Sequence, residues 1–177
     1  MRLRSLLALT LLAVPSAVHA QNPIQLSLFP PIQIVPEDEA VSGFRLGVYA
    51  RNAEMSGLDL GLVLHSTGNA SALQIGAVNV VDGDFLGVQA GWGAGLALAN
   101  VTRGEVRGVQ LALYNGAGTA EGFQLGLVNN TQTVMRGFQL SLVNIADDMN
   151  GLQVGLVNII RSKENFPVLP LVNWKFN

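Results

Sequence analysis

The sequence predicts an all-β fold, and three observations carry the prediction. The first is a repeat. Gly122-Phe123-Gln124-Leu125-Gly126-Leu127-Val128-Asn129 returns as Gly137-Phe138-Gln139-Leu140-Ser141-Leu142-Val143-Asn144 and again as Gly151-Leu152-Gln153-Val154-Gly155-Leu156-Val157-Asn158. Offsets of 15 and 14 residues mean that one small structural unit is copied and laid beside itself. The second is a period of two within each copy. Phe138, Leu140 and Leu142 fall on one side, and Gly137, Gln139, Ser141 and Val143 on the other. The third is glycine density. Each interior glycine would cost a helix about 1 kcal/mol relative to alanine.

Taken in order, residues 1–20 read as a secretory signal peptide. Arg2 and Arg4 supply the positive start, Leu6 to Val14 the apolar stretch, and Val18-His19-Ala20 a small-x-small cleavage site. The apolar stretch is too short to span a bilayer as a helix. The predicted mature chain, 21–177, is one domain of 157 residues (177 − 20). With no cysteine there is no disulfide framework and no lipid carried on a cysteine. Without Arg2 and Arg4, 8 basic residues face 12 acidic ones, a balance of −4 that excludes a strongly basic nucleic-acid binder. Charged residues are 12% of the chain, about half the usual share, so burial or lipid contact is extensive. No later apolar run is long enough for a membrane helix, so any membrane contact is made by strands.

The copies begin near Gly43, Gly57, Ala72, Gly87, Gly108, Gly122, Gly137 and Gly151, at spacings of 14, 15, 15, 21, 14, 15 and 14. The long interval holds Gly91-Trp92-Gly93-Ala94-Gly95, a glycine-rich bend in an extended unit. Between the copies lie short polar connections such as Ser66-Thr67-Gly68-Asn69, Asp82-Gly83-Asp84 and Asn130-Thr131-Gln132-Thr133, which carry most of the charge.

Two architectures fit. In the first, about ten short strands form an up-and-down antiparallel meander that closes into a barrel and so removes its edges. In the second, each 14–15-residue repeat is one coil of a β-solenoid, with leucines stacked inside and Gln and Asn forming ladders outside. Uniform copies favour the solenoid. The polar connections favour the meander, because Asn130-Thr131-Gln132-Thr133 could not cover a leucine face inside a coil. The barrel is therefore the leading expectation. With leucines outward it matches a transmembrane barrel, although three outward positions span only roughly 13 Å along the strand. Val172, Trp174 and Phe176 alternate on the final segment, like the terminal signal of bacterial outer-membrane barrels. Trp174 and Phe176 are candidate assembly-signal residues, and the last strand is expected to close against Ile24 to Phe29.

The copies at Gly151 to Asn158, the ending Phe166 to Phe176, and the segment Pro31-Ile32-Gln33-Ile34-Val35-Pro36-Glu37-Asp38 together resemble a family of bacterial surface-repeat proteins. Its members in leptospires, vibrios and other Gram-negative bacteria carry the same G-L-Q-x-G-L-V-N repeat. The resemblance covers nearly all of 21–177. It implies an exported, envelope-associated protein and brings no catalytic residues.

Chemistry-bearing patterns are sparse. His65 stands alone at a strand end without a triad or a metal-ligand spacing. Glu37-Asp38-Glu39 reads as a solvated turn, and Asp147-Asp148 occupies a turn position. Gly91 to Gly95 lacks the spacing of a phosphate loop. Sequons at Asn69, Asn100 and Asn129 carry little weight in a bacterial protein. One column stands out. Arg45 and Asp59 occupy the slot filled later by Gln74, Gln89, Gln110, Gln124, Gln139 and Gln153. These are the candidate interior or ligand-facing residues, with Arg45 and Asp59 placed to pair on neighbouring strands. The expectation is a non-catalytic envelope protein needing no cofactor or metal. Its expected partners are outer-membrane lipid and the barrel-assembly machinery, and nucleic acid is not among them. A soluble or surface solenoid that binds a partner is the alternative.

Overall fold

The computed structural model describes residues 22–92 and 95–176; the predicted leader lies outside them, as does part of the glycine-rich bend. Eleven strands form one sheet: β1 (Asn22–Phe29), β2 (Ile32–Gln33), β3 (Val41–Asn52), β4 (Met55–Ser66), β5 (Ala70–Ile75), β6 (Val78–Val81), β7 (Phe85–Ala90), β8 (Ala97–Leu125), β9 (Val128–Leu140), β10 (Val143–Ile160) and β11 (Val168–Lys175).

Successive copies pair in parallel and in register. Gly43 faces Gly57, Arg45 faces Asp59, and Leu46 faces Leu60. Gln124 faces Gln139, which faces Gln153. The chain is thus a β-solenoid of about nine turns, and the antiparallel meander and the barrel are corrected. The sheet does not close. β11 pairs with β10, while β1 pairs with β3 and β2. The expected closure of the last strand on Ile24 to Phe29 is not made. The physical reason lies in the uniform copies. Parallel stacking sets each residue on its own counterpart one strand spacing away, about 4.8 Å, so identical side chains form continuous columns.

The solenoid also turns the expected section inside out. Along each coil the Gln slot points inward and is fully buried, while its flanking residues, such as Phe138 and Leu140, point outward. The small residue two positions after the Gln also faces the interior. A Cβ at Gly126 would lie 3.0 Å from Asn115 Nδ2 and 3.2 Å from Asn129 Oδ1. Between that position and the buried Asn three residues on, the chain turns a corner, and two successive side chains (Leu127 and Val128, Leu142 and Val143) both point out. The apolar core lies at the other end of the section. Val41, Met55, Ala70, Phe85, Val106, Ala120, Met135 and Met149 stack against Val81, Ala117, Ala146 and Ile160. The polar connections therefore never had to cover leucines. They close over methionine and alanine, and Thr131 turns inward to join them.

The leading glycines form a column of their own. Gly43, Gly57, Gly87, Gly108, Gly122, Gly137 and Gly151 all have positive φ, from 110° to 155°. A Cβ on Gly137 would collide with the Gly122 carbonyl of the coil before. Only glycine meets both demands, and Ala72 is the one exception among the copies.

Glycine-column substitutions are accordingly expected to be asymmetric. Gly137→Ala should destabilise by more than about 1 kcal/mol, since the backbone conformation is incompatible with a side chain. Ala72→Gly should cost only about 0.5–1 kcal/mol, the usual entropic effect. Thermal unfolding of the two variants checks the contrast.

Candidate functional site

The candidate column is buried throughout. Gln74, Gln89, Gln110, Gln124, Gln139 and Gln153 hand one amide hydrogen each to the coil before. Gln153 Nε2 donates to Gln139 Oε1 at 2.8 Å, Gln139 to Gln124 at 2.7 Å, Gln124 to Gln110 at 2.7 Å, Gln110 to Gln89 at 2.8 Å and Gln89 to Gln74 at 2.8 Å. The series ends where Gln74 Nε2 donates to Asp59 Oδ2 at 2.8 Å. Arg45 then closes on that carboxylate with two bonds, Nε to Oδ1 at 2.8 Å and Nη2 to Oδ2 at 2.7 Å. Its remaining Nη1 donates to the His65 carbonyl at 3.1 Å. Both charged side chains have 0% exposure. The expected neighbour pairing of Arg45 and Asp59 is thus present, inside the coil and out of reach of a ligand.

A second ladder comes from the Asn that closes each eight-residue motif, and its hydrogens run the opposite way. Asn79 donates to Asn100 (2.8 Å), Asn100 to Asn115 (3.1 Å), Asn115 to Asn129 (2.9 Å), Asn129 to Asn144 (3.0 Å) and Asn144 to Asn158 (2.8 Å). The other hydrogen of these amides goes to backbone. Asn115 donates to the Leu125 carbonyl at 2.8 Å, Asn144 to Val154 at 2.9 Å and Asn129 to Leu140 at 3.3 Å. Each of these carbonyls stands where its coil approaches the corner. The Asn column is legible in the sequence as a ladder, but its inward direction is not. Because Asn100 and Asn129 lie in this ladder at 0% exposure, neither sequon is open to modification. Each ladder ends on one unpartnered oxygen, Asn79 Oδ1 and Gln153 Oε1.

With the amides inside, the apolar residues are the ones presented. From the leading glycine to the closing Asn position, every outward residue in every copy is apolar or Tyr; the charged residues in these segments, Arg45 and Asp59, are buried. The pattern runs on into both end strands. Ile24 and Leu26 of β1 stand level with Phe44 and Leu46, and Trp174 and Val172 of β11 with Leu152 and Val154. Phe123 and Phe138 stack with ring centres 5.5 Å apart. Ridge leucines are open, with Leu98 59%, Leu127 45% and Leu156 61% exposed. A shallow apolar trough lined by Leu26, Leu28, Pro31, Ile32, Ile34 and Leu46 extends this side at the N-terminal end.

Exposed charges occupy the opposite edge, mostly in pairs. Arg51 meets Glu37 at 2.6 Å, and Asp82 lies between His65 (3.0 Å) and Arg103 (2.7 Å). Asp147 pairs with Arg161. Asp148 accepts from Lys175 Nζ and Ser162 Oγ, both at 2.6 Å. Glu37-Asp38-Glu39 lies in a turn, as read from sequence, whereas Asp147-Asp148 lies within β10, at its register shift against β9. A cleft of about 970 Å³ lies over Val41, Met55 and Phe85, rimmed by Glu39, Glu54, Asp84 and Glu105. Among the described residues no group of three or more His, Asp or Glu side chains is placed to hold a metal ion. Trp174 and Phe176, read as assembly-signal candidates, stand on and just beyond the capping strand, half-exposed or more. Compared with protein-family models, curated proteins and solved structures, the chain matches none.

Two predictions follow from the polar contacts. Arg45→Met leaves Asp59 charged, buried and half-partnered, and should cost about 3–5 kcal/mol. Pairing Arg45→Gln with Asp59→Gln continues the amide ladder by two rungs and should recover most of that loss, measured by chemical denaturation. The second concerns acid. Hydrogen bonds from Lys175 and then Ser162 hold the Asp148 carboxyl down at about 2. An unfolded Asp titrates near 3.9, so this contribution is complete above about pH 4 and is lost as pH falls toward 2. Trp174 fluorescence should report loosening of the C-terminal cap over that window, and Asp148→Asn should remove the pH dependence.

Proposed function

We propose that this protein is a non-catalytic repeat module of the bacterial cell envelope that works by docking along its apolar side. The observation that carries the reading is the segregation of its surface. Open leucines, valines and aromatics fill one side from β1 to β11, while exposed charge lies mostly on the other edge, with Lys163 Nζ set 5.5 Å over the Trp174 ring at the C-terminal cap. A contiguous apolar surface of this kind marks an interaction site. The polar groups that could have served chemistry, Arg45, Asp59 and the Gln and Asn columns, are already committed to one another. The predicted leader at 1–20 and the resemblance to exported surface-repeat proteins support placement in the envelope of a Gram-negative cell. The reading keeps the expected envelope role and replaces the barrel with a solenoid. Without a barrel to close, Trp174 and Phe176 contribute to the docking side and the cap.

Cell fractionation tests it. The native protein should lose residues 1–20 on export and be recovered with envelope membranes. Leu127→Glu with Leu142→Glu should move it into the soluble periplasmic fraction at unchanged abundance. Recovery of the native protein in the cytoplasm, or of the variant still with membranes, would overturn the reading.

A further inference from the structure

We infer that the occupant of the apolar side is lipid: the solenoid lies along a bilayer surface, axis parallel to the membrane plane, with its leucine ridge among the acyl chains. The inference rests on the docking reading above and names its partner.

Three features select lipid over a protein surface. The first is shape. The apolar side is bent, because the chain turns a corner at Leu127-Val128 and its counterparts, and the ridge residues stand at that corner. Two copies would meet ridge to ridge and touch along a line. A fluid acyl layer closes around a convex ridge without needing a matching groove. The second is hydrogen bonding. Backbone groups facing hydrocarbon must be satisfied without water. Along the sides of the solenoid the neighbouring coils do this. Near the corner, the carbonyls of Leu140 and Val154 accept from the neighbouring coil (Gly126 N–H at 3.0 Å and Ser141 N–H at 3.1 Å) and take the inward Asn amides as second donors, as the Leu125 carbonyl takes that of Asn115. The apolar side is thus supplied with donors from within. The third is extent. About nine turns at roughly 4.8 Å give some 43 Å of length, and the five residues from Phe138 to Leu142 and their counterparts give about 13 Å of width. An area of roughly 560 Å² lies at the upper end of the largest patch of an ordinary monomer, about 300–600 Å². It falls short of the roughly 800 Å² per partner in a standard protein interface.

Charge predicts which lipids bind. The cations of the opposite edge are mostly paired with acids, and the balance over 21–177 is −4. Attachment is therefore apolar. Zwitterionic bilayers suffice, and salt does not release the protein.

The test is flotation of the purified protein with pure phosphatidylcholine vesicles. The protein should float, and flotation should persist in high salt. Leu127→Glu with Leu156→Glu should abolish flotation. Gln132→Glu with Thr133→Glu, on the polar edge, should leave it unchanged, and circular dichroism should show all three proteins equally folded. With Trp92→Phe and Trp174→Phe removing the native signal, a Trp introduced as Leu127→Trp should be quenched by lipids brominated in their acyl chains, whereas one introduced as Gln132→Trp should not. Failure of the native protein to float would overturn the inference. So would flotation only with anionic vesicles and release by salt, or a gel-filtration dimer that Leu127→Glu dissociates. Membrane recovery in cells without flotation on pure lipid would leave the docking reading standing and remove lipid as the occupant.

Discussion

Register is the constraint on which the rest of this molecule depends, and buried primary amides impose it. An inward Gln or Asn has two donors and an acceptor to satisfy where water does not reach, and a buried polar group left unpaired costs about 1–3 kcal/mol. The neighbour that fits is the same amide one coil away. Slipping a single coil by one residue would turn its Gln outward, expose leucine to the core and break both ladders at that level. Apolar columns alone would not penalise such a slip so sharply, because leucine slides past leucine with little directional loss. The interior therefore fixes alignment through hydrogen bonds, and apolar burial contributes on the far side of the section, around Met55, Phe85, Met135 and Met149.

The departure of the first two copies from the motif follows from the same reasoning. A file of amides that all donate toward the N-terminus must end on something that only accepts. Asp59 does so, taking the hydrogen of Gln74, and the charge it brings is met by the fork of Arg45. Arg45 in turn needs acceptors beyond the carboxylate and finds them in the His65 carbonyl and, more distantly, in Asn52 and Ser66. These copies place Ala50 and Leu64 where later ones place Asn. The Asn file thus starts at Asn79 with a bare oxygen. The ion pair is a terminator for a polar column and has no need of solvent or ligand.

The strands, the repeat boundaries and the proximity of Arg45 to Asp59 were legible from spacing and period. The sense of the coil was not. Alternation separates Gln139 from Phe138 and Leu140 but leaves open which side is inside, and the ordinary preference for buried leucine gives the wrong answer for this solenoid. Antiparallel pairing was inferred from the polar connections, on the assumption that they would have to cover leucines. Once Thr131 and Met135 are seen to close that part of the coil, the objection disappears. The thin apolar band that counted against a membrane strand has a different meaning here. It repeats along the axis, so its useful dimension lies across the strands. The corner between the small residue and Asn, where two apolar residues point outward in succession, broke the period of two and was the one local signal of a turn within the motif.

The two ends explain why the stack has a length at all. At one end the chain folds back through Pro30 and Pro31 into β2, and at the other β11 runs antiparallel to β10 with Pro170 within it. A reversed strand does not present the column of matching amides that a further parallel coil would need, and proline withholds a donor from the exposed edge. From Asn100 to Gln153 successive coils repeat the same two amide contacts to the coil before and after. The molecule is therefore a ruler with fixed ends and interchangeable gradations. Gain or loss of one 14-residue copy in the regular stretch would change its length by about 4.8 Å and leave both ends untouched. Descent by duplication can tune reach in a protein of this design without reinventing its interior.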